Sequence, residues 1–204
     1  MNSTNDIKNR LQNLIINQET DYTKNIYRNP VKEYIDTKIA IIEEKKIFTD
    51  SPVCIGTAAL ISNKGDWFTS EINNKPILIV RNTKTEISAY LNICSHRGTK
   101  LAEGNGKKAY AFKCPYHSWV YNLNGELTGR PRENAFDQIK KNECNLKKIT
   151  LHNHQGFLWL VFNKKAEQRY KSNIEHLNKL LKNYDLNKYH HYKSYKIYPK
   201  LNWK

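Results

Sequence analysis

Long hydrophobic runs are missing from this 204-residue chain. No stretch approaches the roughly 18 consecutive apolar residues that a membrane-spanning helix needs. The segment from Met1 to Gln18 is polar and of mixed charge, which is not typical of a secretory signal peptide. These two absences argue against a membrane partner, and we expect a cytoplasmic protein.

Cysteine is also scarce, since the chain has only four, at positions 54, 94, 114 and 144. A disulfide scaffold would be unusual in a cytoplasmic chain of this length. The cysteines are therefore expected to be metal ligands or buried thiols. Cys54 and Cys144 match no motif, and we expect both to be buried thiols.

Arginine is rare among the basic residues. Of the 34 Lys and Arg residues only seven are Arg, and with 19 acidic residues the formal net charge is +15. Nucleic-acid sites concentrate Arg and Lys on one face, whereas the lysines here are scattered, so we expect no nucleic-acid partner. We interpret the charge as a solvated basic surface. A basic face that steers an acidic redox partner stays open as a second interpretation.

The centre of the chain has the pattern of an all-β domain, because short apolar runs alternate with turn residues. Asn124-Gly125 is a strong hairpin signal. Many short strands at close spacing predict a mainly β fold, a small antiparallel barrel or sandwich. The predicted strands cover residues 53–60, 66–72, 76–81, 87–93, 109–113, 120–123, 147–152 and 157–162.

Helical patterns flank this region on both sides. The apolar residues Ile7, Leu11, Leu14 and Ile15 predict a helix that begins at Thr4. A second helical stretch is predicted after Asp36, and a third over Ser172 to Leu181. We therefore expect a helical N-terminal arm (1–47), a β domain (48–163), and a helix and linker (164–204).

Two short segments within the β region carry the chemistry. They are Cys94-Ser95-His96-Arg97-Gly98 and Cys114-Pro115-Tyr116-His117-Ser118-Trp119, with 17 residues between His96 and Cys114. Each segment follows a predicted strand and offers one Cys and one His. Nearby glycines allow tight loops. The pattern predicts that both loops close around one bound group.

The ligand types fit two kinds of metal centre. Tetrahedral zinc accepts Cys and His, but zinc modules usually take two Cys from one knuckle and two His from one helix. Here each loop supplies a mixed pair. A binuclear iron cluster uses such a set, because two thiolates hold one iron and two imidazoles hold the other. Structural zinc and the absence of any metal remain alternatives.

The two loops resemble the Rieske motif, Cys-x-His-x17-Cys-x2-His. The wider sequence is similar to the α subunits of Rieske non-haem iron oxygenases, which include ring-hydroxylating dioxygenases and related monooxygenases and demethylases. The similarity extends to Gly65-Asp66-Trp67-Phe68, to residues 76–81 and to residues 156–160. It implies a Rieske-type antiparallel β-sandwich or barrel with a two-loop cluster-binding subdomain. It also implies one [2Fe–2S] cluster per chain, held by Cys94, His96, Cys114 and His117.

The resemblance also concerns the surroundings of the cluster. Respiratory-chain Rieske proteins carry an extra Cys in each loop, whereas Thr99 and Tyr116 stand here. A lower potential within the Rieske range of roughly −150 to +300 mV is therefore expected. Arg97 and Trp119 are expected to pack on the cluster loops, and Tyr116 to donate a hydrogen bond to a sulfur. Ordinary loop packing without a role at the cluster is the alternative for each.

The family's oxygen chemistry takes place at a second iron, in a C-terminal catalytic domain. The segment Asn202-Trp203-Lys204 resembles the start of that domain. We therefore expect the mononuclear Fe(II) and all catalytic residues to lie outside this chain.

The function implied is electron transfer as the N-terminal part of a Rieske oxygenase. The implied partners are a ferredoxin or flavin reductase and the catalytic domain or a neighbouring α subunit, in a homotrimer. A freestanding Rieske ferredoxin-type electron carrier is the alternative.

Overall fold

The computed structural model describes residues 4–22, 25–195, 197 and 199–200. The chain divides into two compact units, Met1–Asp36 and Thr37–Lys204. The segment Asn202-Trp203-Lys204, which suggested the start of a further domain, lies outside the described residues. Within the described ranges, no helix combines the length and the apolar character needed to cross a membrane.

The first unit is helical. Helix α1 covers Thr4–Asn17, which confirms the predicted first helix, and the short helix α2, Lys32–Ile35, follows Pro30. An ion pair between Arg10 and Asp21 links α1 to the segment after it.

The second unit begins with helix α3, Thr37–Glu43, which continues as a π-helix over Glu44–Thr49 and confirms the predicted helix after Asp36. Among the described residues that follow are ten strands and one long helix, α4 at Lys164–Leu180. The strands are β1 Val53–Thr57, β2 Trp67–Ile72, β3 Lys75–Arg81, β4 Ile87–Leu91, β5 Asn105–Gly106, β6 Ala111–Lys113, β7 Val120–Asn122, β8 Leu127–Gly129, β9 Lys148–His154 and β10 Phe157–Val161. Four 3₁₀ turns lie between them or after α4, at Ala58–Ile61, Glu133–Phe136, Lys141–Cys144 and Leu186–Lys188.

The strands form two antiparallel sheets, which confirms the predicted mainly β class. Seven strands pair in the order β1-β10-β9-β4-β3-β2-β5, and β6, β7 and β8 form a separate three-stranded sheet. The predicted hairpin at Asn124-Gly125 joins β7 to β8. The two-residue β5 and the three-residue β8 were not predicted, because their sequences, Asn-Gly and Leu-Thr-Gly, contain no apolar run.

Strand β3 organises the interior. Ile77, Leu78, Ile79 and Val80 are all fully buried, although successive side chains of a strand point to opposite faces. Leu78 and Val80 pack into a core that includes both loop cysteines, while Ile77 and Ile79 pack with the other strands of the large sheet. The strand therefore separates two cores.

Two predicted boundaries were wrong by three residues or more. The first strand ends at Thr57 rather than at residue 60, because the chain turns into the 3₁₀ helix that buries Ala58 and Ile61. The last helix begins at Lys164 rather than at Ser172. Its first turns bury only Ala166 and Tyr170, which stand among charged and polar residues, so the apolar pattern there is weak. The start is marked by Asn163, whose side chain accepts a hydrogen bond from Ala166 N.

We predict that Gly65→Ala destabilises the second unit more than Gly104→Ala does. Both glycines have φ near +80° (83° and 81°), so an alanine at either position costs about 1–2 kcal/mol of backbone strain. At Gly65 the added Cβ would also collide with the backbone of Ala109, whereas at Gly104 it meets nothing within 4 Å. The collision should add about 1–3 kcal/mol.

Chemical denaturation followed by far-UV circular dichroism measures both variants. Gly104→Ala serves as the control for backbone strain alone. Equal losses of stability in the two variants would contradict the close packing at Gly65.

Candidate metal centre

The first loop leaves strand β4 and is closed at its base by a buried asparagine. The side chain of Asn92 donates to Ala102 O (2.8 Å) and accepts from the N–H groups of Leu101 and Ala102 (3.1 and 3.2 Å). These three bonds tie the start of the loop to its end. Within it, Cys94 N donates to Thr99 O (2.8 Å), and Gly98 N donates to Cys94 O (2.9 Å).

The second loop, between β6 and β7, repeats the same turn. Cys114 N donates to Trp119 O (2.7 Å), and Ser118 N donates to Cys114 O (3.0 Å). The residue four positions after each cysteine is left-handed, with φ of 74° at Gly98 and 59° at Ser118. The two turns therefore share one backbone geometry, and they differ in the offset of the histidine, two residues after Cys94 and three after Cys114.

The two cysteine sulfurs lie inside the protein. Cys94 and Cys114 are 2% and 1% exposed, and both are free thiols in the core on one side of β3. Burial raises the pKa of the Cys94 thiol, and the neighbouring Cys114 adds to this effect. Such a pair would release its protons to a metal, which binds the thiolate form.

The two imidazole rings are half-buried and meet edge to face. The ring centroids of His96 and His117 are 4.6 Å apart, and the ring of Trp119 stacks on His96 at 4.9 Å, nearly parallel to it. Burial lowers the pKa of His96, and the charges of His117 and Arg97 lower it further. The His96 ring is therefore neutral at neutral pH, as a metal-ligating imidazole must be.

The buried ring nitrogens indicate a missing partner. Nδ1 of His96 and Nδ1 of His117 are both buried and have no hydrogen-bond partner within the part of the chain that the structure describes. An unsatisfied buried nitrogen is costly, and coordination to a metal is one of the ways in which such a nitrogen is satisfied. Two inward-facing imidazole nitrogens beside two buried thiols fit the ligand set of a Rieske-type cluster.

The arrangement differs from a site for one ion. Among the described residues, no group of three or more His, Cys, Asp or Glu side chains is close enough to hold a single metal ion. A [2Fe–2S] cluster needs fewer protein ligands per metal ion, since each iron takes only two and the bridging sulfides complete its coordination.

A tyrosine hydroxyl approaches the first sulfur, but it belongs to Tyr121 and not to Tyr116. Tyr121 Oη lies 3.4 Å from Cys94 Sγ and accepts a hydrogen bond from Ser95 N (3.1 Å). Because that N–H occupies an acceptor position, the hydroxyl hydrogen can point at the sulfur. The hydrogen bond expected from Tyr116 to a sulfur was therefore wrong, and the alternative of loop packing holds.

Tyr116 packs on the outside of the loops. It is 58% exposed, with its ring on His117 (3.8 Å) and under the guanidinium of Arg97 (6.0 Å). Arg97 and Trp119 pack on the loops as expected. One signal could have pointed to Tyr121: it lies in the middle of β7, paired with Phe112, and its side chain therefore faces inward.

Cys54 and His152 are not part of the core around the loop cysteines, whereas Cys144 is. Cys144 is buried as predicted, but Cys54 is exposed, because it lies on edge strand β1 beside the irregular pairing at Gly56. His152 is structural, since its ring stacks on Tyr170 (4.2 Å) and bonds to Glu167 (2.8 Å).

Comparison with known proteins agrees with the geometry. Residues 51–150 match the family model of the Rieske [2Fe-2S] domain. The chain is 32% identical over 134 residues to the carnitine monooxygenase oxygenase subunit of Escherichia coli K12, covering 64% of this chain and 35% of that protein. It is 28% identical over 149 residues to benzene 1,2-dioxygenase subunit alpha of Pseudomonas putida, covering 72% and 33%.

The fold is also similar to a solved structure, naphthalene 1,2-dioxygenase from Rhodococcus sp. bound to indole. The two share 25% identity with a TM-score of 0.66, over 87% of this chain and 40% of the other. Residues 51–150 therefore form a Rieske [2Fe–2S] domain. The chain is a homologue of the α subunits of Rieske oxygenases, and it spans about a third of the length of the curated relatives it matches.

We predict that exchanging the left-handed residues of the two matched turns, Gly98 and Ser118, changes the free energy of unfolding in opposite directions. Ser118→Gly relieves about 1–2 kcal/mol of backbone strain and loses about 0.4–1 kcal/mol because the unfolded chain becomes freer. It should therefore raise the free energy of unfolding by up to about 1.5 kcal/mol. Gly98→Ser should lower it by a similar amount for the same reasons.

The measurement is equilibrium denaturation of the two single variants and of the double variant. The double variant should lie close to the unsubstituted protein. Changes of the same sign in both single variants would show that the turns are not equivalent.

Proposed function

We propose that Cys94, His96, Cys114 and His117 hold a [2Fe–2S] cluster and that this chain transfers single electrons as the Rieske part of an oxygenase. The observation that carries the proposal is the pair of buried, unpartnered Nδ1 atoms of His96 and His117 next to two buried thiols. The family match over residues 51–150 supports the same cofactor.

When bound, the cluster takes up and releases one electron at a time. The protein's own residues supply the surroundings that this needs. The matched turns fix both cysteines, and Trp119, 3% exposed and stacked on His96, shields that ring from water. Tyr121 is placed to donate a hydrogen bond to Cys94 Sγ.

The centre has one buried and one accessible side. The cysteines are enclosed by the core, whereas His96 and His117 are half-buried and lie towards the surface. A partner that exchanges electrons with this centre would therefore approach the imidazoles. The cationic and aromatic residues beside them, Arg97 and Tyr116, would form part of that contact.

The oxygenase role is favoured over a freestanding electron carrier, because the relatives reported above are oxygenase subunits. We propose that residues 48–163 form the cluster domain, that residues 1–47 form a helical arm, and that residues 164–204 lead towards a catalytic domain. The mononuclear Fe(II) would lie in that domain, on the same protein or on a neighbouring α subunit.

The partners follow from this role. A ferredoxin or flavin reductase would donate electrons, and a homotrimer would bring neighbouring subunits together. The substrate would be a small organic molecule that is hydroxylated or dealkylated, as the relatives named for carnitine and benzene suggest. We propose a cytoplasmic location for the assembly.

The ligand assignment is tested by replacing single ligands. Cys94→Ser, Cys114→Ser, His96→Ala and His117→Ala should each abolish or severely reduce cluster assembly, because each removes one of only four protein bonds. Iron and acid-labile sulfide are measured in protein made anaerobically with a cluster supply, and the unsubstituted chain should contain about two of each per chain.

Cys54→Ser and His176→Ala are the matched controls, since both residues are exposed and outside the centre, and both variants should keep the full content. Absence of iron and sulfide from the unsubstituted chain would contradict the proposal.

A second test concerns the hydrogen bond to sulfur. Tyr121→Phe should lower the midpoint potential, because the lost bond favours the reduced, more negative cluster over the oxidised one. A difference of about 1 kcal/mol in hydrogen-bond strength corresponds to about 40 mV for a one-electron couple.

A redox titration followed by visible absorption measures the shift. Tyr90→Phe is the matched control: Tyr90 lies buried in the same core, but its hydroxyl contacts Asn82 and Leu123 O rather than a sulfur. An unchanged potential in Tyr121→Phe would show that the hydroxyl does not donate to Cys94.

A further inference from the structure

A buried arginine lies near the histidine ligands of the proposed centre. Arg130 directly follows strand β8, and only 5% of its side chain is exposed. Arginine is almost never fully buried unless its charge is paired. Its surroundings therefore call for an explanation.

The guanidinium of Arg130 is incompletely paired. Nη2 donates to Phe136 O (3.2 Å), but Nε and Nη1 are buried without a hydrogen-bond partner among the described residues. The nearest carboxylate is Glu133, whose Oε1 is 3.6 Å from Nε. That carboxylate is about half exposed and is shared with Lys141 at 3.0 Å. Two cations thus face one anion, and the group retains a net positive charge.

This charge is connected to the cluster loops through one aromatic ring. The guanidinium lies 5.4 Å from the ring centroid of Phe136. The same ring meets His96 edge-on at 5.7 Å and Trp119 at 5.3 Å. Phe136 therefore lies between the cation and the proposed iron ligand and is in contact with both.

We infer that Arg130 is an electrostatic tuning residue that raises the midpoint potential of the cluster. The inference rests on the proposed function, because it requires a cluster beside His96. Reduction adds one negative charge to the centre, and a buried positive charge at short range favours the reduced state. Because the cation is buried, salt screens its effect far less than that of a surface lysine.

Glu133 opposes this effect. Its negative charge partly cancels that of Arg130, and hydrogen bonding and attraction from Lys141, with a further contribution from Arg130, lower its pKa, so it is ionised at neutral pH. Removing the charge of Glu133 should therefore move the potential in the direction opposite to the removal of Arg130's charge.

The experiment compares three variants of the cluster-loaded chain by redox titration. Arg130→Met removes the charge and keeps much of the packing, and its midpoint potential should fall. Arg130→Lys keeps the charge but loses the planar guanidinium on Phe136, and its potential should stay near that of the unsubstituted protein. Glu133→Gln should raise the potential. The fall in Arg130→Met should persist when the salt concentration is raised.

A purely structural role for Arg130 gives a different result. Arg130→Lys would then shift the potential as far as Arg130→Met, or neither would shift it, and either outcome overturns the inference. Electron paramagnetic resonance of the reduced proteins checks that the coordination is intact in each variant.

If Arg130→Met does not retain its cluster, the other two variants decide. A raised midpoint potential in Glu133→Gln together with a near-native potential in Arg130→Lys supports the inference. An unchanged potential in Glu133→Gln overturns it. A chain that holds no iron and sulfide without any substitution refutes the proposed function itself, which is a separate result.

Discussion

The two-sided burial of strand β3 is the constraint on which the rest of the second unit depends. Its four consecutive apolar residues, 77 to 80, are fully buried, so each face of one strand must be covered by a separate core. One core closes the large sheet. The other joins that sheet to the three-stranded sheet and contains the loop cysteines. A shift of register by one residue would exchange the two faces and remove the support beneath both loops.

The centre combines repetition with asymmetry. Both loops use the same cysteine-anchored turn, which places the two sulfurs deep in one core. The different offset of each histidine then lets both rings meet at the surface side, 4.6 Å apart. Around this frame lie groups that bear on charge: the Tyr121 hydroxyl at a sulfur, and the Arg130 guanidinium behind Phe136. The frame fixes where a cluster sits, and the surrounding groups affect how readily it accepts an electron.

Much of this could be predicted from the sequence, because loop ligands and turn residues are local signals. The cluster motif, the hairpin at Asn124-Gly125 and most strands were found in this way. Contacts between distant segments could not be predicted. Tyr121 reaches Cys94 only because β7 packs against the first loop, so Tyr116, nearer in sequence to a ligand, was chosen wrongly. Cys54 was expected inside, but it lies on an edge strand whose pairing shifts at Gly56. The early start of α4 was missed because its first turns bury only Ala166 and Tyr170, which stand among charged and polar residues.

The enclosure of Cys94 and Cys114 has a consequence for how the working protein is made. Iron and sulfide arriving from solvent cannot reach these sulfurs while both turns are shut. If these sulfurs hold the proposed cluster, we expect it to be delivered while at least one turn is open, and closure of the turns would then enclose it. A chain that closes empty would be shielded from oxidants and alkylating reagents, but it would have to reopen before it could be filled.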